Sequence, residues 1–548
     1  MGTALALSGG GAKGCFEAGA IMYIAERWDE FDISSVAGTS AGAINALAVS
    51  HFRADSRTKL PELWLSLQGR SYMFRNSAQL NAIRNTLRDL GVDPDAALAG
   101  GGGGTDVNWN LARIASFVPF LGAYIVDESE RHFELIAHLL RQIGDLNQLF
   151  SLDPVRSLLY ETFYKTYSPE RALPLRLVFV SMLDGRPYYV DEAGRVYRFD
   201  NLQPRGSQYG NVGLVVAADA NSAVIEATLG SASIPVFFGT RRMLLSWTSA
   251  IRTASDLVAA YDAGRLDDIL QGVEAHEVAD GGLRDNLPIH AASLGGPDRI
   301  IAVSASPRTV DKNLKFWAGY GRRLESFGPG YGLLDAIIRS IDLLTNEGTE
   351  TDRLEAVGDQ EVVSVFPMYA VHDLITVDPG LIRLNLEYGY MRAFDAFNDP
   401  PVEFFTSWRS AIAWLLTVVV GTEDLVSTRH QIWALEHQLS FVDSGLGGTW
   451  AFHKDTIDTI RQLKWRVYWD AKKRVDAWGI TGSVPRSLPN GAVVSDWWLS
   501  WERAAERASR AMFLEMGDPW SPKLVLERNG VVRRESVQEV GQKPPSAI

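Results

Sequence analysis

At 548 residues, 46% apolar and 22% charged, the chain is long enough for two or more domains, and no apolar run reaches the roughly 18 residues that a bilayer span needs. The formal charge of -13 argues against nucleic acid, which wants a basic stripe, and leaves any membrane contact to local apolar features rather than to charge. The single cysteine, Cys15, excludes an intrachain disulfide; with no basic segment leading into an apolar stretch at the N-terminus, the expected compartment is the cytoplasm.

Thr3 to Ser8 reads as a buried parallel strand, followed by Gly9-Gly10-Gly11-Ala12-Lys13-Gly14 and an apolar-periodic helix from about Phe16 to Trp28. The loop has the form G-x-G-x-x-G, with Asp32 near the spacing of a ribose-binding carboxylate, so dinucleotide binding is one reading. It is not a Walker A loop, because Lys13 precedes Gly14 and no Ser or Thr follows. The other reading is an oxyanion hole, in which glycines leave the backbone N–H groups of Gly9, Gly10, Gly11, Ala12, Lys13 and Gly14 unobstructed around one point. Lys13 then orients the loop or adds positive potential; the plainer reading is a solvated cation.

Next, Val36-Ala37-Gly38-Thr39-Ser40-Ala41-Gly42-Ala43 is an apolar strand running into a G-x-S-x-G turn and a small-residue helix, the sequence form of a nucleophile elbow. Gly38 and Gly42 allow the tight turn without a Cβ clash, and Ser40 is set at its tip above a helix N-terminus, which favours developing negative charge. An elbow one short helix after the glycine loop favours the oxyanion-hole reading of that loop.

From Phe52 to Arg70 the pattern is polar and helical. Residues 71–145 read as an insert, with a flexible glycine run Gly100 to Gly104 and then an apolar stretch, Ile114 to Val126, that is either a lid or lipid-contacting segment or an ordinary packed helix-loop. Strand Leu175 to Ser181 turns at Asp184-Gly185 into Tyr188-Tyr189-Val190, and a helix from Ser222 ends in Ser231-Ala232-Ser233-Ile234-Pro235. Val278-Ala279-Asp280-Gly281-Gly282 puts a carboxylate at a strand end. Strand Arg299 to Ser304, a helix about Leu333 to Leu344, strand Val362 to Phe366 and a helix ending near Phe397 follow. Strands alternating with helices imply an α/β fold on a mostly parallel sheet covered on both faces.

An exposed serine needs a base. A Ser-Asp-His triad would draw on His290 or His372, neither in an obvious strand-end loop; a dyad would use a carboxylate that takes the serine proton directly. A free Asp, with a pKa of about 3.9, is a poor base, and partial burial beside an apolar site raises it. The three motifs in order, Gly9 to Gly14, Gly38-Thr39-Ser40-Ala41-Gly42 and Asp280-Gly281-Gly282, resemble the patatin-like phospholipase family, and the likeness extends loosely to about Phe397. The resemblance implies a three-layer α/β/α fold, lipid acyl-ester hydrolysis without metal or cofactor, Ser40 as nucleophile, Asp280 as base and the Gly9 to Gly14 backbone as oxyanion hole. The family often has arginine where Lys13 stands, and the long insert is a larger departure.

Beyond residue 400 the composition shifts: 11 of the 16 tryptophans lie from Trp408 to Trp520, so residues 401–548 are expected to form a separate, mainly helical domain with a disordered tail. Trp498, Trp501, Ala505, Ala508 and Met512 share a helix face, as do Trp465, Tyr468 and Trp469 beside Lys472-Lys473-Arg474; such stripes serve as core or as membrane anchors. Asn529-Gly530 reads as a hairpin turn. Three functions therefore stand: an acyl hydrolase meeting its lipid transiently at a membrane surface, the same hydrolase held off by its C-terminal region until a ligand or protein partner arrives, and a dinucleotide-binding protein.

Overall fold

In the computed structural model the described residues are 2–67, 70–89, 148–198, 212–307 and 361–397, with gaps at 236, 372–373 and 375–376, plus the helix Thr422–Val442 and a few short pieces. Ten strands form one sheet: β1 Thr3–Leu7, β2 Ile33–Thr39, β3 Leu175–Ser181, β4 Pro187–Val190, β5 Arg195–Arg198, β6 Val212–Val215, β7 Arg241–Ser246, β8 Val273–Asp280, β9 Arg299–Val303 and β10 Glu361–Val365. The order β3-β2-β1-β9-β10 is parallel throughout. Strands β3 to β8 instead pair antiparallel in sequence order, and β8 returns to β3, closing a barrel.

This corrects the expectation of a mostly parallel sheet. The connections after β3 and β4 are hairpins with Gly185 (φ 68°) and Gly194 (φ 76°) in left-handed turns, too short for the crossover that a parallel pair requires. The connections from β1 to β2 and from β2 to β3 are threaded by helices, and these neighbours are parallel.

Alternation along the strands sorts the core. Leu5, Leu7, Val36, Leu175, Leu177 and Phe179 face one side, where the helices pack, while Ala4, Ala6, Ala37 and Val178 face the other with Leu287 and Ile289. The first side carries α1 Cys15–Glu26, α2 Ala41–Phe52, α3 Ser56–Leu65, α4 Ala220–Ser231 and α5 Pro379–Phe397. Helices α1 and α5 meet backbone to backbone: a Cβ on Gly19 would lie 1.9 Å from Leu386 O, and one on Gly389 1.8 Å from Phe16 O. The helix α6 Thr422–Val442 packs on α5, where Arg429 and Glu387 form a buried ion pair and Trp433 Nε1 donates to Asp378 at 2.8 Å.

Within the expected insert the helix Ala78–Asp89 is described, burying Leu80 and Ile83, and Arg75–Asn76 pairs with Phe150–Ser151. The glycine run, the 114–126 stretch, the 333–344 helix, most of 401–548 with its tryptophan faces, and His372 lie outside the described residues. Leu524–Leu526 and Val532–Arg534 pair antiparallel, as a hairpin through 529–530 requires. Among the described residues no helix is long and apolar enough to cross a membrane.

Candidate active site

Strand order reverses at β1, which has β2 on one side and β9 on the other, so the loop after β1 opens into the crevice where open α/β sheets bind ligands. The glycine loop and the end of β2 both sit on that carboxyl edge. Ser40 links β2 to α2 with φ 55° and ψ -124°, a conformation that costs a non-glycine residue about 1–3 kcal/mol and persists only where its surroundings enforce it. The enforcement is visible. Ser40 N–H donates to Ser231 Oγ at 2.9 Å, and the Ser231 hydroxyl donates in turn to Val178 O of β3. A Cβ on Gly38 would lie 2.2 Å from Gly42 O, and one on Gly42 2.4 Å from both Leu7 O and Ser8 O, so this crossing of strand and helix admits only glycine at both positions.

The antiparallel barrel brings the carboxylate to the serine. Strand β8 runs back along β3 with Asp280 opposite Phe179, one residue beyond Val178, which is itself opposite Thr39. Gly281 then presses against the elbow strand: a Cβ there would lie 2.4 Å from Val178 O and 2.9 Å from Thr39 Cγ2. Asp280 is 5% exposed. Its Oδ1 accepts Gly282 N–H at 2.7 Å, and its buried Oδ2 has no hydrogen-bond partner among the described residues. Burial pushes its pKa up from 3.8 to about 7, against the pull of the Ser40 hydroxyl and Gly282 N–H. The Ser40 hydroxyl thus lies close enough to the carboxyl to favour its ionised form.

In the glycine loop, Gly11–Gly14 form one 3₁₀ turn leading into α1, with Gly11 at φ 54°. Three of the six expected oxyanion N–H groups are already engaged: Gly9 on Asn286 O (2.9 Å), Ala12 on Leu374 O (3.0 Å) and Lys13 on Gly10 O (3.0 Å). Gly14, last in the turn, leads directly into α1. The N–H groups of Gly10 and Gly11 make no hydrogen bond to the described residues. Neither does that of Ala41, because Gly42 N–H goes to Ser8 O and Ala43 N–H to Ser40 O. Gly9 lies against Ser40, where a Cβ would be 3.1 Å from Ser40 Cβ and 2.4 Å from Asn286 Oδ1. Lys13 is buried, with Nζ 3.2 Å from Ser306 Oγ, so it is not the solvated cation of the plainer reading.

The other candidates fall elsewhere. Asp32 is exposed in a left-handed turn before β2, on the amino edge of the sheet, so it cannot share a dinucleotide with a loop on the carboxyl edge. His290 is exposed on the short helix Ile289–Ser293. Sequence reasoning passed over Ser231, whose only signal was a cluster of small residues at the end of α4. It gave no role to Ala41 N–H, or to Asn286, whose backbone and side chain brace Gly9 and Gly282. Among the described residues no group of three or more His, Cys, Asp or Glu side chains could hold a metal ion.

Fold and site together define a class: an α/β protein with a serine on a strained strand-to-helix turn, beside a glycine loop and a buried carboxyl group. The chain belongs to the patatin-like phospholipase family, whose model matches residues 5–293, just over half of it. Among solved structures it is similar to VipD from Legionella pneumophila, at 12% identity over 95% of this chain and 94% of that one, with a TM-score of 0.27. It is also similar to the heterodimeric ExoU–SpcU complex of the type III secretion system of Pseudomonas aeruginosa, at 14% identity over 94% and 84%, with a TM-score of 0.17. No curated protein matches the chain.

Proposed function

We propose that the chain is a serine lipid acyl hydrolase of phospholipase A or lysophospholipase type, with Ser40 as nucleophile and Asp280 as base. The observation that carries the reading is the buried, singly bonded Asp280 carboxyl beside Ser40, lifted by burial into the range where a carboxylate serves as a base at neutral pH. Ser40 Oγ attacks the acyl carbonyl carbon while its proton passes to Asp280 Oδ2. The oxyanion forms against the unengaged N–H groups of Gly10, Gly11 and Ala41. Collapse expels the alcohol, which takes the proton from Asp280 and leaves an acyl-serine ester. Water then attacks that ester, giving one proton to Asp280, which returns it to Ser40 as the fatty acid departs. Family membership supports the substrate class.

The rest of the reading follows the sequence: a three-layer α/β/α domain over about 1–400, a mainly helical domain beyond it, a cytoplasmic protein and a transient, peripheral meeting with lipid. Control by the C-terminal region is a second reading, favoured by a specific chain of contacts. Trp433 of α6 holds Asp378, and four residues earlier Leu374 O receives the Ala12 N–H of the glycine loop. Purified full chain is tested for fatty-acid release from mixed phospholipid vesicles beside Ser40→Ala. Release by the wild type that vanishes in the variant is the expected result; equal release by both overturns the assignment of Ser40.

A further inference from the structure

Beneath the glycine loop lies a buried acid for which the mechanism above has no use. Glu17, on the first turn of α1, is fully buried and sits between the loop and the elbow helix. Its Oε1 is 3.0 Å from Ser8 Oγ, and its Oε2 accepts from Asn45 Nδ2 of α2 at 2.9 Å. Asn45 Nδ2 also donates to Gly14 O (2.9 Å), and its Oδ1 accepts Trp64 Nε1–H from α3 (2.9 Å). Ser8 Oγ accepts Ala305 N–H (2.8 Å) and lies 3.1 Å from Gly9 O. We propose that Glu17 is a positioning residue of the acyl-transfer centre, which as the neutral acid fixes the Gly9–Gly10 peptide through Ser8 and ties it to the elbow helix through Asn45.

Donor counting decides the protonation state. Ser8 has one proton to give. If Glu17 is neutral, its O–H donates to Ser8 Oγ and the Ser8 proton goes to Gly9 O, so every group in the network is matched. If Glu17 is ionised, it draws the Ser8 proton to itself and Gly9 O loses its donor. The peptide unit is planar, so the carbonyl of Gly9 and the N–H of Gly10 turn together. Pinning Gly9 O therefore aims the Gly10 N–H, an unengaged donor one residue after Gly9, which lies against Ser40. Burial raises the Glu17 pKa to about 8, against hydrogen bonds from Asn45 and Ser8, which agrees with a neutral acid at pH 7. It faces Ser8 from the end of β1 and Asn45 from α2, and no charged side chain among the described residues adds to these influences. On its own helix Cys15, pushed up to about 12 by burial, remains a neutral thiol, with Asn385 of α5 against it.

The inference rests on the acyl-hydrolase reading, and its test separates the two. Wild type, Glu17→Gln and Glu17→Ala are compared across pH 5–10 for hydrolysis of a soluble p-nitrophenyl acyl ester. Equilibrium urea unfolding of the same proteins is followed over the same range. Gln can donate to Ser8 and accept from Asn45 without ionising. Glu17→Gln should keep wild-type kcat near pH 7 within about threefold, while losing the fall in activity that wild type shows above pH 8. Glu17→Ala should lose about 100-fold in kcat with little change in KM, as expected when a reacting group is misaimed. Wild-type stability should fall between the ordinary carboxyl range and pH 8 more steeply than that of Glu17→Gln, because only the wild type must give up a proton held by the fold. A Glu17→Gln enzyme that retains the alkaline fall, or is as poor as Glu17→Ala at pH 7, overturns the inference. A wild type inert toward the ester, with the unfolding difference present, overturns the hydrolase reading and leaves the buried neutral acid standing.

Discussion

Replacing Asp280 with Asn should make the protein more stable at pH 8 and nearly inactive, and the size of both effects follows from the site. The carboxyl is 5% exposed, one oxygen is held by Gly282 N–H and the other has no hydrogen-bond partner among the described residues. Burial holds its pKa at about 7, against 3.8 for the ordinary group. The folded pKa lies above the unfolded one, so between these values the native state retains a proton that the unfolded chain has released. Stability therefore falls as pH rises through this window, by roughly 1.4 kcal/mol per pH unit, or on the order of 4 kcal/mol in all, and is flat above it. Asn cannot ionise and carries no such slope. It leaves a buried amide in place of Oδ2, at a cost of about 1–3 kcal/mol where no acceptor is found. At pH 8 the variant should therefore be more stable by roughly 1–3 kcal/mol, and near pH 4, where the slope contributes little, the cost of the buried amide should leave it weaker by roughly 1–2 kcal/mol. Equilibrium urea unfolding of both proteins at pH 4.5, 6 and 8 measures the difference, in which the Glu17 contribution common to both cancels. Hydrolysis should drop by about 10²–10⁴-fold, the usual worth of a general base. A stability difference that does not change between pH 4.5 and pH 8 would refute the argument that Asp280 is a desolvated carboxyl.

Two further substitutions test the turn that presents Ser40. Ser231→Ala removes the acceptor of Ser40 N–H and should cost about 1–3 kcal/mol in urea unfolding, with a drop in kcat as the positive-φ serine loses its tether; unchanged kcat would show that the turn holds without it. Gly42→Ala places a methyl 2.4 Å from the backbone oxygens of Leu7 and Ser8, so β1 and α2 must separate. A loss of about 1–3 kcal/mol and of ester hydrolysis is expected, read by unfolding and by initial rates.

The candidate site was legible in the sequence where it depends on residue type over a short span. Gly9 to Gly14, Gly38, Ser40, Gly42 and Asp280 stand out because a tight turn, an open row of N–H groups and a strand-end acid each demand particular residues at fixed spacing. What failed was pairing. The hairpin signal at Asp184-Gly185 was in plain view, but β8 closes on β3 across about a hundred residues, and nothing local records that. The contacts that hold the reacting groups were missed for the same reason. Ser231 is one small residue among several, and Asn286 reads as part of the Asn286-Leu287-Pro288 continuation that resembles the family's surroundings, with no contact to Gly9 implied. Glu17 did leave a trace, as a lone carboxylate within Cys15 to Ala25, a run with no other charge, which the structure buries throughout. That pattern marks a buried acid, and its partners Ser8 and Asn45 lie on either side of it in the chain. The helix Ala78–Asp89 was passed over because its polar face outweighs the few buried positions, Leu80 and Ile83 among them.

Asp280 and Glu17 divide the pH scale between them. Both are buried, and burial raises both, but the site needs opposite states of them. In the proposed reaction Asp280 must be ionised to take the Ser40 proton, which holds above about pH 7. Glu17 must be neutral for Ser8 to pin the Gly9–Gly10 peptide, which holds below about pH 8. The active form is therefore confined to a narrow band in which one carboxyl has lost its proton and the other has kept it. Within that band the protein carries nearly the full cost of Asp280 burial, together with the strain at Ser40, so the catalytic state is not the most stable state available to the chain. The bell should be lopsided under mutation. Asp280→Asn removes activity on both sides, whereas Glu17→Gln opens the alkaline side and leaves the acid limb near pH 7 in place. A wild-type profile flat from pH 6 to pH 9 would mean that neither carboxyl titrates in the fold, and would remove the physical basis of the base and of its support together.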